Sequence, residues 1–245
     1  MKKLFGYVLI GLALVSLVLP GCAPKTTKYI VATDATWPPF EYVDEETKEI
    51  VGFDIDVMTA IAEKAGIEIE FENVAWDPLL AGMALCQYDV AISAMTITEE
   101  RKKQWLFSDP YFFAGQIVTV QIDNTEIASK YDLPGKVVGA QIGTTGSFEV
   151  ENIGGATLKT YDDIGLAFQD LMNGQIDAIM ADNPLALGYV NEYPDKLKTV
   201  GEVLTDENYG IAVCKDNPDL LEKINEGLRA VKAEGLIEEL VEKWL

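Results

Sequence analysis

A repeated alternation between short apolar runs and longer amphipathic segments, beginning near residue 28, constrains the fold more than any other feature. The runs KYIVATD (28–34), IEIEFENV (67–74) and KVVGAQI (136–142) have the length and character of strands. The segments IDVMTAIAEKAG (55–66) and DDIGLAFQDLMNG (162–174) carry apolar residues at helical spacing. Because parallel strands need crossover connections, this order predicts a mostly parallel α/β architecture.

The local signals along the chain sharpen this prediction. Asp54 stands where the N-cap of the 55–66 helix is expected, and Pro78 fits the first turn of a helix over 77–86. YDVAISAM (88–95) and YGIAVCK (209–215) read as buried strands, and 217–245 as one long or two short amphipathic helices. The pattern restarts near residue 119, and CQYDVAISAM and GQIDAIMADN share a Gln-x-Asp followed by an apolar run, which fits two similar lobes.

Charge and composition exclude several classes of function. The chain has 245 residues, a formal net charge of -21 and no histidine. Phosphate binding needs a basic face, so no nucleic-acid partner is expected. Without histidine there is no Ser-His-Asp or Cys-His nucleophile arrangement, no HExxH zinc site and no example of the commonest metal ligand, so an enzyme would have to work with carboxylates, lysine or tyrosine. We predict no metal and no cofactor.

The amino terminus has the pattern of an export signal. Lys2 and Lys3 precede an apolar stretch over 4–19, which is short for a membrane-spanning helix and ends in Pro20 and Gly21. Leu19-Pro20-Gly21-Cys22 resembles a bacterial lipobox, although Pro20 departs from its usual small residue. This resemblance implies a signal peptide over 1–21, a lipid on Cys22, and an anchor and tether over 22–27.

Two further cysteines, Cys86 and Cys214, leave two interpretations open. An exported protein can pair them in a disulfide, but one pair cannot be inferred from spacing alone. Small buried apolar side chains are the default expectation.

Polar and aromatic residues collect at the predicted strand ends, where ligands bind in open α/β sheets. These candidates are Asp34, Trp37, Trp76, Thr96, Arg101, Gln141, Thr144, Thr145 and Asp182. The apolar Ala94 and Met95 precede Thr96 and join the candidates only through the family resemblance described below. Arg101 near a helix start opposes the helix dipole, so it is either a tolerated surface cation or the partner of an anionic ligand. The ligand-free alternatives are a capping box of Thr96 and Glu99, Asp182 as an N-cap, and the tryptophans as ordinary core aromatics.

Seven segments together resemble the polar amino-acid-binding proteins of bacterial ABC importers, solute-binding protein family three. They are ATDATWPPFEY, GFDIDVMTAIAEKAG, WDPLLAGM, AISAMTITEERKKQWLFSDPYF, GAQIGTTGSFE, DAIMADNP and YGIAV. The resemblance implies a two-lobed Venus-flytrap fold, with 28–118 plus 209–245 in lobe 1, 119–208 in lobe 2 and two hinge strands between them. It implies an extracytoplasmic, monomeric carrier that delivers an amino acid to an ABC transporter permease.

The same resemblance implies roles for the candidates. Arg101 would clamp the ligand α-carboxylate and Asp182 would receive the α-ammonium, while the backbone near Ala94 and Thr96 and the turn at Thr144 and Thr145 add hydrogen bonds. Trp37 and Trp76 would stack on the ligand side chain, whose polar end faces Asp34 and Gln141. An aspartate with two tryptophans favours a cationic side chain, arginine or lysine, with glutamine as the alternative.

Two rival classes use similar folds. In cyclohexadienyl dehydratases a catalytic acid lies in the turn that matches 144–147, which holds none here; the nearest is Glu149. An amino-acid sensor would present its closed form to a receptor, and a chain that ends at Leu245 without a further domain favours a free carrier. We therefore expect a binding protein and not an enzyme.

Overall fold

The computed structural model describes residues 28–245. The predictions of a signal peptide, a lipidated Cys22 and a tether lie outside these residues. Among the helices described, none combines the length and apolar character that crossing a membrane requires.

The secondary structure follows the predicted alternation. The strands are β1 (Tyr29–Thr33), β2 (Thr36–Trp37), β3 (Glu41–Val43), β4 (Ile50–Val51), β5 (Ile69–Asn73), β6 (Val90–Ala91), β7 (Leu106–Phe107), β8 (Phe112–Ala114), β9 (Gln116–Gln121), β10 (Val137–Gln141), β11 (Thr157–Tyr161), β12 (Ala178–Asp182), β13 (Leu197–Val200), β14 (Glu207–Tyr209) and β15 (Ala212–Val213). The helices are α1 (Phe53–Ala65), α2 (Trp76–Ala84), α3 (Glu99–Lys102), α4 (Thr145–Asn152), α5 (Ile164–Met172), α6 (Asn183–Glu192), α7 (Pro218–Ala233) and α8 (Leu236–Trp244), with a short 3-10 turn at Lys130–Asp132.

Two five-stranded mixed sheets form the two lobes. One has the order β5-β1-β6-β15-β7 and the other β11-β10-β12-β9-β13. In the first sheet β1 and β6 run parallel, and in the second β10 and β12 do. Each sheet also contains one strand that follows a crossing between the lobes, β15 in the first and β9 in the second, and this strand runs antiparallel to its neighbours. The two lobes therefore repeat one plan, as the internal echo in the sequence predicts.

The chain crosses between the sheets in two segments that pair with each other. β8 and β14 form an antiparallel ribbon, with Phe113 opposite Asn208. At Gly115, directly after β8, an added Cβ would lie 2.0 Å from the carbonyl oxygen of Thr205. Only glycine lets the two crossing segments approach this closely.

Helix packing closes the core of the first lobe. α1 lies against α7, where an added Cβ on Gly227 would come within 2.5 Å of the Ile61 carbonyl oxygen. Phe53, Ile61 and Leu228 are fully buried there. Two helices, α7 and α8, end the chain, which resolves the alternative left open by the sequence.

Several local predictions are wrong. α1 begins at Phe53 after Gly52, so Asp54 is not its N-cap and is instead fully buried in its first turn. In the 88–95 run only Val90 and Ala91 join the sheet, and the strand expected over 209–215 is interrupted between β14 and β15.

The expectation that Cys86 and Cys214 are unpaired apolar side chains is also wrong. They form a disulfide with a Cα–Cα distance of 5.2 Å across a sequence separation of 128 residues. The antiparallel pairing of β6 with β15 brings the two positions together, which spacing along the chain cannot reveal.

Candidate ligand-binding cleft

A cleft lies between the lobes at the carboxyl ends of β1, β6, β10 and β12, with about 320 Å³ of space free of protein atoms, part of it open to solvent. Ten of the eleven predicted site residues line it; Met95 alone does not, because its side chain is fully buried in the first lobe beside Ala91 and Trp105. The lining is Asp34, Trp37, Glu41, Trp76, Ser93, Ala94, Thr96, Arg101, Gln141, Thr144, Thr145 and Asp182. Sequence reasoning missed Glu41 and Ser93.

Arg101 is the only cationic residue among those lining the cleft within residues 28–245. Its side chain is buried and crosses between the lobes: Nη1 donates to the Thr96 carbonyl oxygen at 2.8 Å and Nη2 to that of Gly143 at 3.3 Å. The guanidinium also lies over the Trp76 ring, 5.2 Å from its centre. Burial lowers the pKa of Arg101 to about 10, against the attraction of Asp182 and Glu207. The surface-cation interpretation is therefore wrong.

The predicted capping box is wrong as well. α3 spans four residues, and its N-cap is Thr98, whose side chain accepts a hydrogen bond from the Arg101 amide. Thr96 lies before the helix and donates its hydroxyl hydrogen to Glu207. So short a helix has little dipole, and the position of Arg101 is set by the cleft and not by the helix start.

Asp182 ends β12 and turns its carboxylate into the cleft. It occupies the N-cap position of α6, as the alternative interpretation predicts, but its side chain makes no capping hydrogen bond. Its oxygens accept instead from Gln116 Nε2 and the Tyr209 hydroxyl. Burial and the neighbouring Glu207 raise the pKa of Asp182 to about 7, and the hydrogen bonds oppose this rise.

Glu207, behind Asp182 on β14, was not predicted. One carboxylate oxygen accepts from the hydroxyls of Thr96 and Thr145, and the other from Gln116 Nε2 at 3.1 Å and the Thr205 hydroxyl at 2.9 Å. These donors come from both lobes and from the segment directly before β14. A glutamate in a segment read as a loop before a strand gives no sequence signal for such a role.

The opposite end of the cleft holds Asp34 and Gln141. Asp34 directly follows β1, and its carboxylate accepts from the Thr36 hydroxyl and from Gln141 Nε2, both at 2.9 Å. Burial raises the pKa of Asp34 despite these bonds. Trp37 and Trp76 are buried, and their indole N–H groups have no partner among the described residues.

Glu41 and Ser93 extend this acidic end. Ser93 Oγ accepts from the Asp34 amide at 3.0 Å and donates to Glu41 Oε1 at 2.8 Å. Burial, together with repulsion from Asp54, raises the pKa of Glu41 well above its usual range. Within PPFEYV, which was read as a hairpin excursion, no periodic signal marks Glu41.

The glycine-rich turn of the second lobe forms the remaining wall. Gly143 has a φ of 70°, and Thr144 caps α4 by accepting from the Ser147 amide. A Cβ at Gly146 would lie 2.8 Å from both the Met180 carbonyl oxygen and Gln116 Oε1, so a larger residue would push α4 away from β12. Glycine here is a packing requirement that brings Thr144 and Thr145 to the cleft.

Comparison with known proteins gives a consistent result. The model of the bacterial extracellular solute-binding proteins, family 3, matches residues 29–245. The L-cystine-binding protein TcyJ of Escherichia coli K12 is 35% identical over 219 residues, covering 88% of this chain and 81% of the relative. The ABC transporter arginine-binding protein 1 of the same strain is 36% identical over 229 residues, covering 91% and 92%. These relatives are binding proteins and not enzymes, as expected.

Solved structures resemble this fold over most of the chain. An ancestral arginine-binding protein bound to arginine superposes with a TM-score of 0.85 at 45% identity, covering 89% of this chain and 98% of the other. An ancestral arginine-binding protein bound to glutamine gives a TM-score of 0.84 at 45% identity, covering 89% and 97%. The two-lobed fold predicted from the sequence is confirmed.

Proposed function

Because the chain belongs to the bacterial extracellular solute-binding proteins, family 3, we propose that its cleft captures a basic L-amino acid, arginine or lysine. The charge distribution of the cleft supports this proposal above all. Its lining holds one cation, Arg101, and the carboxylates of Asp34 and Asp182, while Glu41, whose pKa is raised well above its usual range, adds no negative charge at neutral pH. A zwitterion with a cationic side chain is the amino-acid class that complements this excess of negative charge.

The proposed binding mode assigns the two ends of the cleft to the two ends of the ligand. The Arg101 guanidinium pairs with the α-carboxylate, and Asp182 accepts from the α-ammonium. The cationic side chain lies between Trp37 and Trp76 and ends near Asp34 and Gln141. Since Arg101 and Asp182 lie on different lobes, a ligand that contacts both stabilises the closed arrangement.

Isothermal titration of refolded, ligand-stripped protein with arginine, lysine, glutamine and cystine tests the ligand class. We expect arginine or lysine to bind at least about tenfold more tightly than glutamine, a difference of about 1.4 kcal/mol. Micromolar binding of glutamine, with no heat from arginine or lysine, would overturn the proposal in favour of the glutamine alternative. The glutamine complex of an ancestral relative makes this comparison necessary.

We propose further that the protein is a monomeric carrier, lipid-anchored at Cys22, that delivers its ligand to an ABC transporter permease. The proposal takes 28–118 plus 209–245 as lobe 1 and 119–208 as lobe 2. The family description and the names of the relatives support an extracellular transport role, and the lipobox-like segment supports the anchor.

Mass spectrometry of the intact protein from a bacterial membrane fraction should show diacylglycerol on Cys22. The Cys22→Ala variant should no longer be found in that membrane fraction. A chain that begins at Met1 would refute the anchor.

A further inference from the structure

Ala94 holds a backbone conformation that an L-residue rarely adopts. It follows β6 at the edge of the cleft, and its φ is 43°, in the left-handed region. The Cβ of alanine makes this region unfavourable, and such residues persist where their surroundings hold them in place. The neighbouring Ser93 and Thr96 line the same wall of the cleft.

Asp54 makes the contact that opposes relaxation of Ala94. Its Oδ2 accepts from the Ala94 amide at 2.7 Å and from the Tyr111 hydroxyl at 2.7 Å. The carboxylate is fully buried in the first turn of α1 and does not line the cleft. A buried acceptor at this position holds Ala94 in a conformation that its amide would otherwise leave, and a carboxylate strengthens this hydrogen bond relative to a neutral acceptor.

The second oxygen of Asp54 faces Glu41. Asp54 Oδ1 and Glu41 Oε2 are both buried and have no hydrogen-bond partner among the described residues. Burial and repulsion from Asp54 raise the pKa of Glu41 well above its usual range, so a proton on Glu41 would satisfy both oxygens. Asp54 would then stay ionised and accept the hydrogen bond from the Ala94 amide. Glu41 also accepts a hydrogen bond from Ser93, which lines the acidic end of the cleft.

The bond to Asp54 also decides what Ala94 can offer a ligand. Its N–H is already used, so the polar backbone group that remains is the carbonyl oxygen, an acceptor suited to an ammonium group. We propose, on the basis of the function proposed above, that Asp54 is a positioning residue that fixes Ala94 in the left-handed conformation and so orients the Ser93–Ala94 backbone toward the ligand amine. It acts without touching the ligand.

A double-mutant cycle between Asp54→Ala and Ala94→Gly tests this role. Glycine adopts positive φ without a Cβ penalty, so it has less need of the carboxylate. We expect D54A to weaken L-arginine binding about tenfold in the wild-type background and about threefold or less in the A94G background, measured by titration calorimetry. An equal factor in both backgrounds would overturn the proposal.

Two further variants separate positioning from stability. D54N retains an oxygen that can accept from Ala94 and should bind arginine within about threefold of wild type; a tenfold loss in folded D54N would overturn the proposal even where D54A fails to fold. Tyr111→Phe removes the other hydrogen bond to Oδ2 and leaves Ala94 bound, so it should lower the melting temperature and change affinity less than about twofold. A tenfold loss in Y111F would also overturn it.

The cycle distinguishes this inference from the function on which it rests. If wild-type protein binds glutamine and not arginine, the ligand assignment fails, and the same cycle is run with glutamine. If wild-type protein binds arginine but the losses simply add, the positioning role alone fails.

Discussion

Replacing Arg101 by methionine removes the cation of the cleft while keeping an unbranched side chain to fill its space. The variant tests whether this guanidinium is held in a buried site for an incoming carboxylate. Its current partners are two backbone carbonyl oxygens and the face of Trp76, none of which is charged.

The structure sets the size of the expected effect. Burial lowers the pKa of Arg101 from 12.5 to about 10, which means that the closed site disfavours the charge by about 3 kcal/mol. In the proposed binding mode, the ligand carboxylate would offset this cost through charge-assisted hydrogen bonds to the guanidinium. Removing one member of such a buried pair costs about 2–5 kcal/mol, so the dissociation constant should rise by about 30- to 5,000-fold.

The ligand-free protein should respond differently. Exchange of a buried charge for an apolar side chain of similar length is often neutral or stabilising, so we expect the melting temperature of R101M to equal or exceed that of wild type. Lys102→Met is the matched control, because Lys102 lies beside Arg101 on α3 but is about half exposed, in an ion pair with Glu99. It should change affinity by less than about twofold.

Calorimetry with arginine, paired with thermal unfolding of the ligand-free proteins, measures both effects. Affinity within about threefold of wild type in folded R101M would refute the carboxylate pairing. An equal loss of affinity in K102M would show that bulk charge near the cleft, and not a specific contact, drives binding.

Three other predictions concern the charge and the covalent connections of the fold. The pKa of Asp182 is raised from 3.8 to about 7, so the folded, ligand-free protein keeps a proton that the unfolded chain loses above about pH 4. Asp182 should therefore lower the stability as pH rises to about 7, by at most about 1.4 kcal/mol per pH unit, and thermal scans of D182N should show a pH slope that is flatter by this contribution. Arginine affinity should rise over the same range, since the ionised carboxylate accepts from the ammonium; a pH-independent dissociation constant would contradict this. Asp34→Asn should weaken arginine binding at least about tenfold and glutamine binding less than about threefold, and calorimetry showing equal losses would reject Asp34 as a specificity residue. Replacing Cys86 and Cys214 by alanine should lower the free energy of unfolding by about 2–4 kcal/mol in denaturant titrations without changing affinity, because neither cysteine lines the cleft.

Periodicity predicted the architecture because burial on one or both faces of an element leaves a regular pattern in the sequence. The residues at which helices and strands begin and end were harder to predict. Asp54 and Thr96 are both residue types that cap helices, yet their side chains bond to Ala94 and Glu207, which are distant in sequence. A propensity records what a residue does when nothing else competes for its side chain, and here tertiary partners compete.

Cleft residues that directly follow parallel strands could be predicted from the sequence, whereas those on other elements could not. Asp34, Gln141 and Asp182 come at the carboxyl ends of parallel strands, so topology places each of them at the edge of its own sheet where ligands bind. Glu41 lies on a small antiparallel sheet and Glu207 on a crossing strand, whose positions depend on how the lobes meet. Met95, adjacent to two lining residues, points into the core, because the bend at Ala94 turns successive side chains to different sides.

The disulfide has a consequence for how this architecture can change. Cys86 and Cys214 belong to the first sheet's two chain segments, and the whole second sheet lies between them in sequence. The second lobe is thus an insertion into the first. The strands that lead into and out of it, β8 and β14, pair with each other, and the disulfide links the first lobe's two chain segments on either side of the insertion. We expect that the second lobe can be exchanged as a unit between related proteins while the first lobe keeps Arg101. The exchanged lobe would bring its own residues at positions 141, 144, 145 and 182, which are Gln141, Thr144, Thr145 and Asp182 here. Recombination at these two neighbouring points would therefore change the proposed ligand contacts of the second lobe while leaving Arg101, the residue proposed to bind the ligand carboxylate, in place.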